Sequence, residues 1–204
     1  MSELIQIGSA NKRPPQPKAE DLNLQFSEKA VQELAALVSH YPNKKACILP
    51  GLWLAQREYG GFLPGDAIAE VAHRLERSYA EVEGVATFYS LYNTAHKPGR
   101  HKIELCTCLS CHVNGAWDLR DQLVKKLGIH HGETTDDGMF TLEEVECLNS
   151  CDRAPCMQVG SDYYGPLTAE SLDEIIEKLR HTEESTVVQY AADVVRVQLA
   201  YDEA

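Results

Sequence analysis

Apolar residues recur at helical spacing through the first half of the chain and in short strand-like runs between helices through the second. Ser27 reads as an N-cap, and Val31, Leu34, Ala35 and Val38 define one face of a first helix that stops at Tyr41-Pro42. A second helix is expected from about Lys45 to Tyr59, with Ile48, Leu49, Leu52 and Trp53 inward and Pro50 either in its first turn or kinking it. After Gly60-Gly61-Phe62-Leu63-Pro64-Gly65, a third helix carries Ile68, Val71, Ala72 and Leu75, and a Ser78/Glu81 capping box opens a fourth. All four faces read as packing surfaces, as do Phe88, Tyr89 and Tyr92 just beyond them.

Lys97-Pro98-Gly99-Arg100 marks a change of pattern. A strand over His101 to Leu105 leads into a cysteine loop, then into a helix from about Asn114 to Leu127, with Leu119, Leu123 and Leu127 aligned and Gly128 as its stop. After the turn Asp136-Asp137-Gly138, Phe140 to Glu146 reads as a second strand, with a slip of apolar phase between Leu142 and Val145 that suggests a bulge. Cys156 to Val159 and the region of Tyr163 form a hairpin around Gly160-Ser161-Asp162, and Thr168 caps a helix with Leu172, Ile175, Ile176 and Leu179. The order β-α-β-β-α is compatible with a thioredoxin-like fold.

Four blocks follow: a flexible N-terminal tail over 1–25, a helical domain over 26–96, a second domain over 97–180 and a C-terminal tail over 181–204. In the last block Val187, Val188, Ala191, Val194, Val195 and Leu199 have partial helical spacing, which leaves open a docked helix or a partner-binding segment. The start of the chain lacks a signal-peptide pattern, and no run approaches the roughly 20 apolar residues of a membrane span, so a soluble, intracellular protein without direct membrane insertion is expected. With 31 acidic against 19 basic residues, the net charge of -12 argues against nucleic acid and anionic lipid and in favour of a protein partner.

Six of the seven cysteines fall in two clusters, Cys106-Thr-Cys108-Leu-Ser-Cys111 and Cys147-Leu-Asn-Ser-Cys151 followed by Asp152-Arg153-Ala154-Pro155-Cys156, with 35 residues between Cys111 and Cys147. A reducing compartment and an odd cysteine count disfavour a disulfide scaffold, so the thiols read as ligands or redox groups. Two thiols from each cluster give nine possible four-thiolate sites, among which spacing does not choose. Both clusters begin where a strand is expected to end, and the first leads into a helix N-terminus whose N–H groups favour thiolates and negative clusters. An iron–sulfur cluster with four thiolates in these acidic surroundings would have a low potential, on the order of -400 mV. Zinc is the first rival, although only Cys108 and Cys111 have CxxC spacing. A dithiol enzyme built on Cys108 and Cys111 is the second, and it leaves the other clustered cysteines unexplained. His112 lacks the second histidine a Rieske site needs, His130-His131 reads as surface loop, and Pro155 shapes the second loop. Neither a dinucleotide fingerprint nor a P-loop is present.

The segments CTCLSC and VECLNSCDRAP, preceded by LPGLWLAQREYGGFLPGDAIAEVAHRL and by EVEGVATFYSLY with its GVATFY run at Gly84 to Tyr89, together resemble the 2Fe-2S subunit of respiratory complex I, often called the 24 kDa subunit. The similarity extends from about Phe26 to Arg180. It implies an α+β fold in which an N-terminal helical bundle precedes a thioredoxin-like 2Fe-2S domain. It also implies CxxxxC and CxxxC ligand pairs, so that Cys106 and Cys111 with Cys147 and Cys151 hold one 2Fe-2S cluster. Cys108 and Cys156 are then extra thiols near the cluster, packing or lying just behind the ligands, and either is placed to substitute for a lost ligand.

By the same resemblance the chain is an electron-transfer subunit of NADH:quinone oxidoreductase. NADH and FMN would sit on a partner subunit, further peripheral-arm subunits would complete the assembly, and no nucleic acid is involved. The location implied is cytoplasmic and peripheral on the inner membrane through the complex in a bacterium, or on the matrix side in a mitochondrion. Two alternatives remain: a diaphorase subunit of an NAD-linked hydrogenase or formate dehydrogenase, and, in a different class, a zinc-stabilised interaction module.

Overall fold

A computed structural model describes residues 24–200. The expected N-terminal tail falls almost entirely outside the described residues, as do the last four positions. Four helices come first: α1 (Glu28–Ser39), α2 (Ile48–Glu58), α3 (Gly65–Leu75) and α4 (Tyr79–Phe88). Ser27 caps α1 by accepting from the Ala30 N–H at 3.1 Å. The buried face of α1 is Ala30, Leu34 and Leu37, one position off the expected stripe, and Val31 is 40% exposed. On α2 Pro50 occupies the first turn, where its missing N–H has no intrahelical acceptor to lose, whereas Leu49 points outward. The expected α3 face is buried throughout. Ser78 accepts from the Glu81 N–H at 3.3 Å, but the Glu81 carboxylate is drawn to Arg77 at 2.8 Å, so only half of the capping box forms. Tyr92 is core, donating its hydroxyl to the Leu49 carbonyl at 2.8 Å. Phe88 is 78% exposed, which corrects the packing expectation for that ring.

The second half contains β1 (His101–Cys106), α5 (Leu109–Val113), α6 (Ala116–Leu127), β2 (Glu133–Thr134), β3 (Phe140–Val145), β4 (Met157–Val159), β5 (Asp162–Tyr164) and α7 (Ala169–Arg180). The sheet order is β2-β3-β1-β4-β5, with β1 and β3 parallel and every other neighbouring pair antiparallel. Pairing of β1 with β3 runs unbroken from His101↔Phe140 to Cys106↔Val145, so the expected bulge is absent. The helix expected from Asn114 is α6, starting two residues later after Gly115 at φ 94°; the short α5 before it and the two-residue β2 lie outside the expected pattern. Thr168 and Ser171 form a reciprocal capping box at the start of α7.

Two main apolar cores result. One lies among α1 to α4; the other lies between the sheet and α6 and α7, around Ile103, Leu105, Leu123, Phe140, Leu142, Met157 and Leu172. An additional helix, α8 (Thr186–Leu199), returns to the first core, burying Val187, Ala191 and Val195. Each such valine is worth about 1.5–3 kcal/mol. Gly61, at φ +90°, makes room for this return: a Cβ there would lie 2.8 Å from Val187 Cγ1. The start of α8 is also tied to the sheet, because the Thr186 N–H and the Ser185 hydroxyl donate to the Arg100 carbonyl, each at 3.1 Å. The C-terminal segment is therefore a docked helix. A third, small cluster consists of Cys106, Cys111, Ala116 and Cys156 beyond one end of β1.

Candidate metal centre

Parallel strands end at the same edge of a sheet, and the register of β1 against β3 places Cys106 opposite Val145, the last residue of its neighbour. The chain leaving each strand enters a cysteine loop, and both loops start side by side. Backbone bonds fix the first: the Cys106 N–H donates to the Cys156 carbonyl at 3.1 Å, and the Thr107 N–H to the Val145 carbonyl at 3.0 Å. Cys108 is the N-cap residue of α5 without a side-chain cap bond, and Cys111 lies inside that helix. With only five residues, α5 supplies far less dipole than the long helix expected to follow the loop.

In the second loop Cys147 and Cys151 are exposed, with sulfurs 3.9 Å apart. Asn149 between them takes the left-handed conformation at φ 57° and directs its N–H at Cys147 Sγ, 3.4 Å away. A short 3-10 turn, Cys151–Arg153, leads to a cis bond at Pro155, and the Arg153 guanidinium donates to the Gly165 carbonyl at 2.7 and 3.0 Å. Gly165 has no room for a side chain: a Cβ would overlap the Arg153 carbonyl and lie 3.1 Å from Cys156 Cβ. These contacts hold Cys156 beneath the first loop. Its sulfur is 3.7 Å from that of Cys111, and the sulfurs of Cys106, Cys111 and Cys156, each residue 1% exposed, all lie within 4.8 Å of one another.

The quartet expected from the resemblance thus divides into a buried pair, Cys106 and Cys111, and an exposed pair, Cys147 and Cys151. The two loops influence each other electrostatically. Burial raises the Cys106 thiol, the backbone N–H groups of Cys108 and of Leu148 in the other loop draw it down, and Cys111 raises it further. The neighbouring Cys147 raises Cys151, the Ser110 hydroxyl of the first loop lowers it, and the charge of Cys106 adds to the rise. Burial, then Cys111 and Cys106, push Cys156 up to about 12. Cys106, Cys151 and Cys156, raised in this way, hold their protons more tightly, and a bound cation supplies the charge that converts a thiol to a thiolate. A soft, all-sulfur donor set drawn from two converging loops fits a thiophilic metal or an iron–sulfur centre.

The family model for the thioredoxin-like 2Fe-2S ferredoxin matches residues 34–180. The chain belongs to that family. It is 44% identical over 161 residues to a subunit of the NADH-quinone oxidoreductase of Rhizobium meliloti (strain 1021), a match covering 79% of this chain and 95% of that protein. It is 42% identical over 158 residues to the corresponding NADH-quinone oxidoreductase subunit of Rickettsia felis, covering 76% and 94%. Among solved structures, an NAD+-reducing NiFe-hydrogenase in the air-oxidized state superposes with a TM-score of 0.56 at 25% identity. That likeness covers 64% of this chain and 23% of the hydrogenase chain.

Around the ferredoxin centre the other candidates separate cleanly. His112 packs edge-on against Trp117 with ring centroids 5.5 Å apart, away from any ligand role. His130 is exposed, and His131 Nδ1 accepts from the Glu144 N–H at 2.9 Å, which fits the surface-loop reading. The resemblance implies that Cys156 lies near the cluster, but nothing in the sequence puts its sulfur 3.7 Å from that of Cys111. That position depends on β4 pairing with β1, which brings the start of β4 against Cys106. A groove of about 610 Å³ runs from Tyr89 and Tyr92 past Lys102 and Glu104 to Cys147 and Leu148, so Cys147 is approached from open space.

Proposed function

We propose that this chain is the electron-transfer subunit of an NADH:quinone oxidoreductase and holds one 2Fe-2S cluster on Cys106, Cys111, Cys147 and Cys151. The observation that carries the reading is the convergence of two cysteine loops at the shared edge of β1 and β3, where Cys151 is influenced by Cys106 across the loops. The bound cluster supplies a one-electron couple. The protein sets its environment. Backbone N–H groups of Cys108 and Leu148 directed at Cys106, and that of Asn149 at Cys147, favour the added negative charge of reduction. The Glu146 carbonyl, 3.4 Å from Cys106 Sγ, and the net charge of -12 oppose it. Burial of Cys106 and Cys111 keeps water from one side, while the exposed Cys147 and Cys151 side is open to an electron partner.

That partner is the NADH- and FMN-binding subunit of the same complex, with which this chain exchanges single electrons; further peripheral-arm subunits complete the assembly. Leu109 and Val113, 74% and 75% exposed and one turn apart on α5, form an apolar surface beside Cys111 of the kind a partner chain covers. The residue blocks 26–96 and 97–180 act as a helical domain and a ferredoxin domain. No described helix is long and apolar enough to cross a membrane, and attachment to the inner membrane is through the complex.

The likeness to the hydrogenase favours a second reading, a diaphorase subunit of an NAD-linked hydrogenase. Affinity purification under anaerobic conditions separates the two: membrane-arm subunits accompany the first, a nickel-containing chain the second. For the cluster itself, iron and sulfide are counted and the dithionite-reduced protein is examined by EPR. Zinc in place of iron, with no visible absorbance and no signal, would remove electron transfer from consideration.

A further inference from the structure

We propose that Cys156 is a reserve ligand: a third thiolate donor for the metal position served by Cys106 and Cys111, able to replace either when it is lost. This rests on the cluster reading above and concerns a residue which that reading leaves without a role. Two thiolates bound to one tetrahedral metal with bonds of about 2.3 Å lie about 3.8 Å apart. Cys147 and Cys151 match that edge at 3.9 Å; on the buried side Cys111 and Cys156 match it at 3.7 Å, and the sulfur of Cys106 lies within 4.8 Å of both.

The surroundings hold Cys156 in place rather than allowing it to swing away. Its carbonyl accepts from the Cys106 N–H, and the Pro155 carbonyl before it accepts from the Leu167 N–H at 2.8 Å. Gly165 packs so closely that a Cβ there would lie 3.1 Å from Cys156 Cβ. Cys108, the other unassigned thiol, is only half-buried and does not belong to the group of sulfurs within 4.8 Å of one another. Among the described residues, the exposed side has no third sulfur grouped in that way either. In a chain lacking Cys106 or Cys111, Cys156 Sγ would take the open metal position and its thiol proton would pass to water, with no electron transferred.

The test uses the full-length chain, reconstituted anaerobically with iron and sulfide, as wild type, Cys111→Ser, Cys156→Ala and the Cys111→Ser/Cys156→Ala pair. Iron content, visible absorption and EPR are read, and circular dichroism shows which variants fold. The expected result is a normal cluster in Cys156→Ala, and in Cys111→Ser a cluster that keeps an all-thiolate spectrum with shifted g-values. The double variant would lose the cluster or show the blue-shifted spectrum of a serine oxygen ligand. Identical spectra from Cys111→Ser and the double variant overturn the proposal. Should Cys111→Ser not fold, Cys106→Ser with and without Cys156→Ala poses the same question, and loss of iron from Cys106→Ser whether or not Cys156 is present is the overturning result. A wild type without iron refutes the cluster reading instead, so the two failures are distinct.

Discussion

The two sides of the candidate centre are built differently. Cys106, Cys111 and Cys156 are buried, held by strand pairing and by the contact of the Gly165 backbone with Arg153 and Cys156. Cys147 and Cys151 sit on an exposed loop shaped by one left-handed residue, Asn149, and one 3-10 turn. The buried side has a rigid frame and a donor to spare; the exposed side has access and none. An electron carrier benefits from both, since a dry, fixed side limits reorganisation and an open side brings the redox group within reach of its partner.

Substitutions can break this comparison in graded steps. The largest effect is expected from Cys147→Ala or Cys151→Ala, which should abolish iron binding, because no third sulfur among the described residues is grouped with that pair; iron analysis after reconstitution checks it. A full complement of iron in either variant would erase the asymmetry. Next comes Gly165→Ala, whose Cβ would overlap the Arg153 carbonyl and displace the loop between Cys151 and Cys156. A loss of about 2–3 kcal/mol in a urea titration of the cluster-free protein is expected, together with a lower iron yield.

Arg153→Ala removes the two hydrogen bonds to the Gly165 carbonyl. Since this residue is exposed, a loss of about 1 kcal/mol is expected, with the cluster still assembling. The smallest effect on the loaded protein belongs to Cys156→Ala, which should leave the EPR spectrum unchanged and cost about 1 kcal/mol of packing. In the cluster-free protein the same variant has a pH signature. Burial and its neighbours raise Cys156 from 9.0 to about 12, so its folded state holds the proton more tightly than its unfolded state. The stability this provides is complete below pH 9 and is lost as pH rises through 12. Denaturation curves across that window should fall more steeply for wild type than for Cys156→Ala.

Local signals carried much of the fold into the sequence. The α3 stripe was readable because Ile68, Val71, Ala72 and Leu75 recur at a period that only one helix face satisfies. In α1 the run Ala35-Ala36-Leu37-Val38 offers two overlapping faces, and contact with α2 decides between them. The α8 helix is ambiguous in sequence because the core it completes is made of residues far earlier in the chain, between Phe26 and Tyr92, and its fit depends on the space left at Gly61. The two cysteine loops were visible as clusters at strand ends. The special position of Cys156 was not, since it arises from the pairing of β4 with β1 and from a glycine nine residues later.

The centre proposed for these thiols is a redox-active pair of irons. EPR of the anaerobically purified, dithionite-reduced protein, with iron, zinc and acid-labile sulfide counted on the same sample, tests it most directly. Two irons and two sulfides per chain are expected, as a 2Fe-2S cluster requires, with one paramagnetic signal that appears on reduction. One zinc per chain, no labile sulfide and no signal would contradict it.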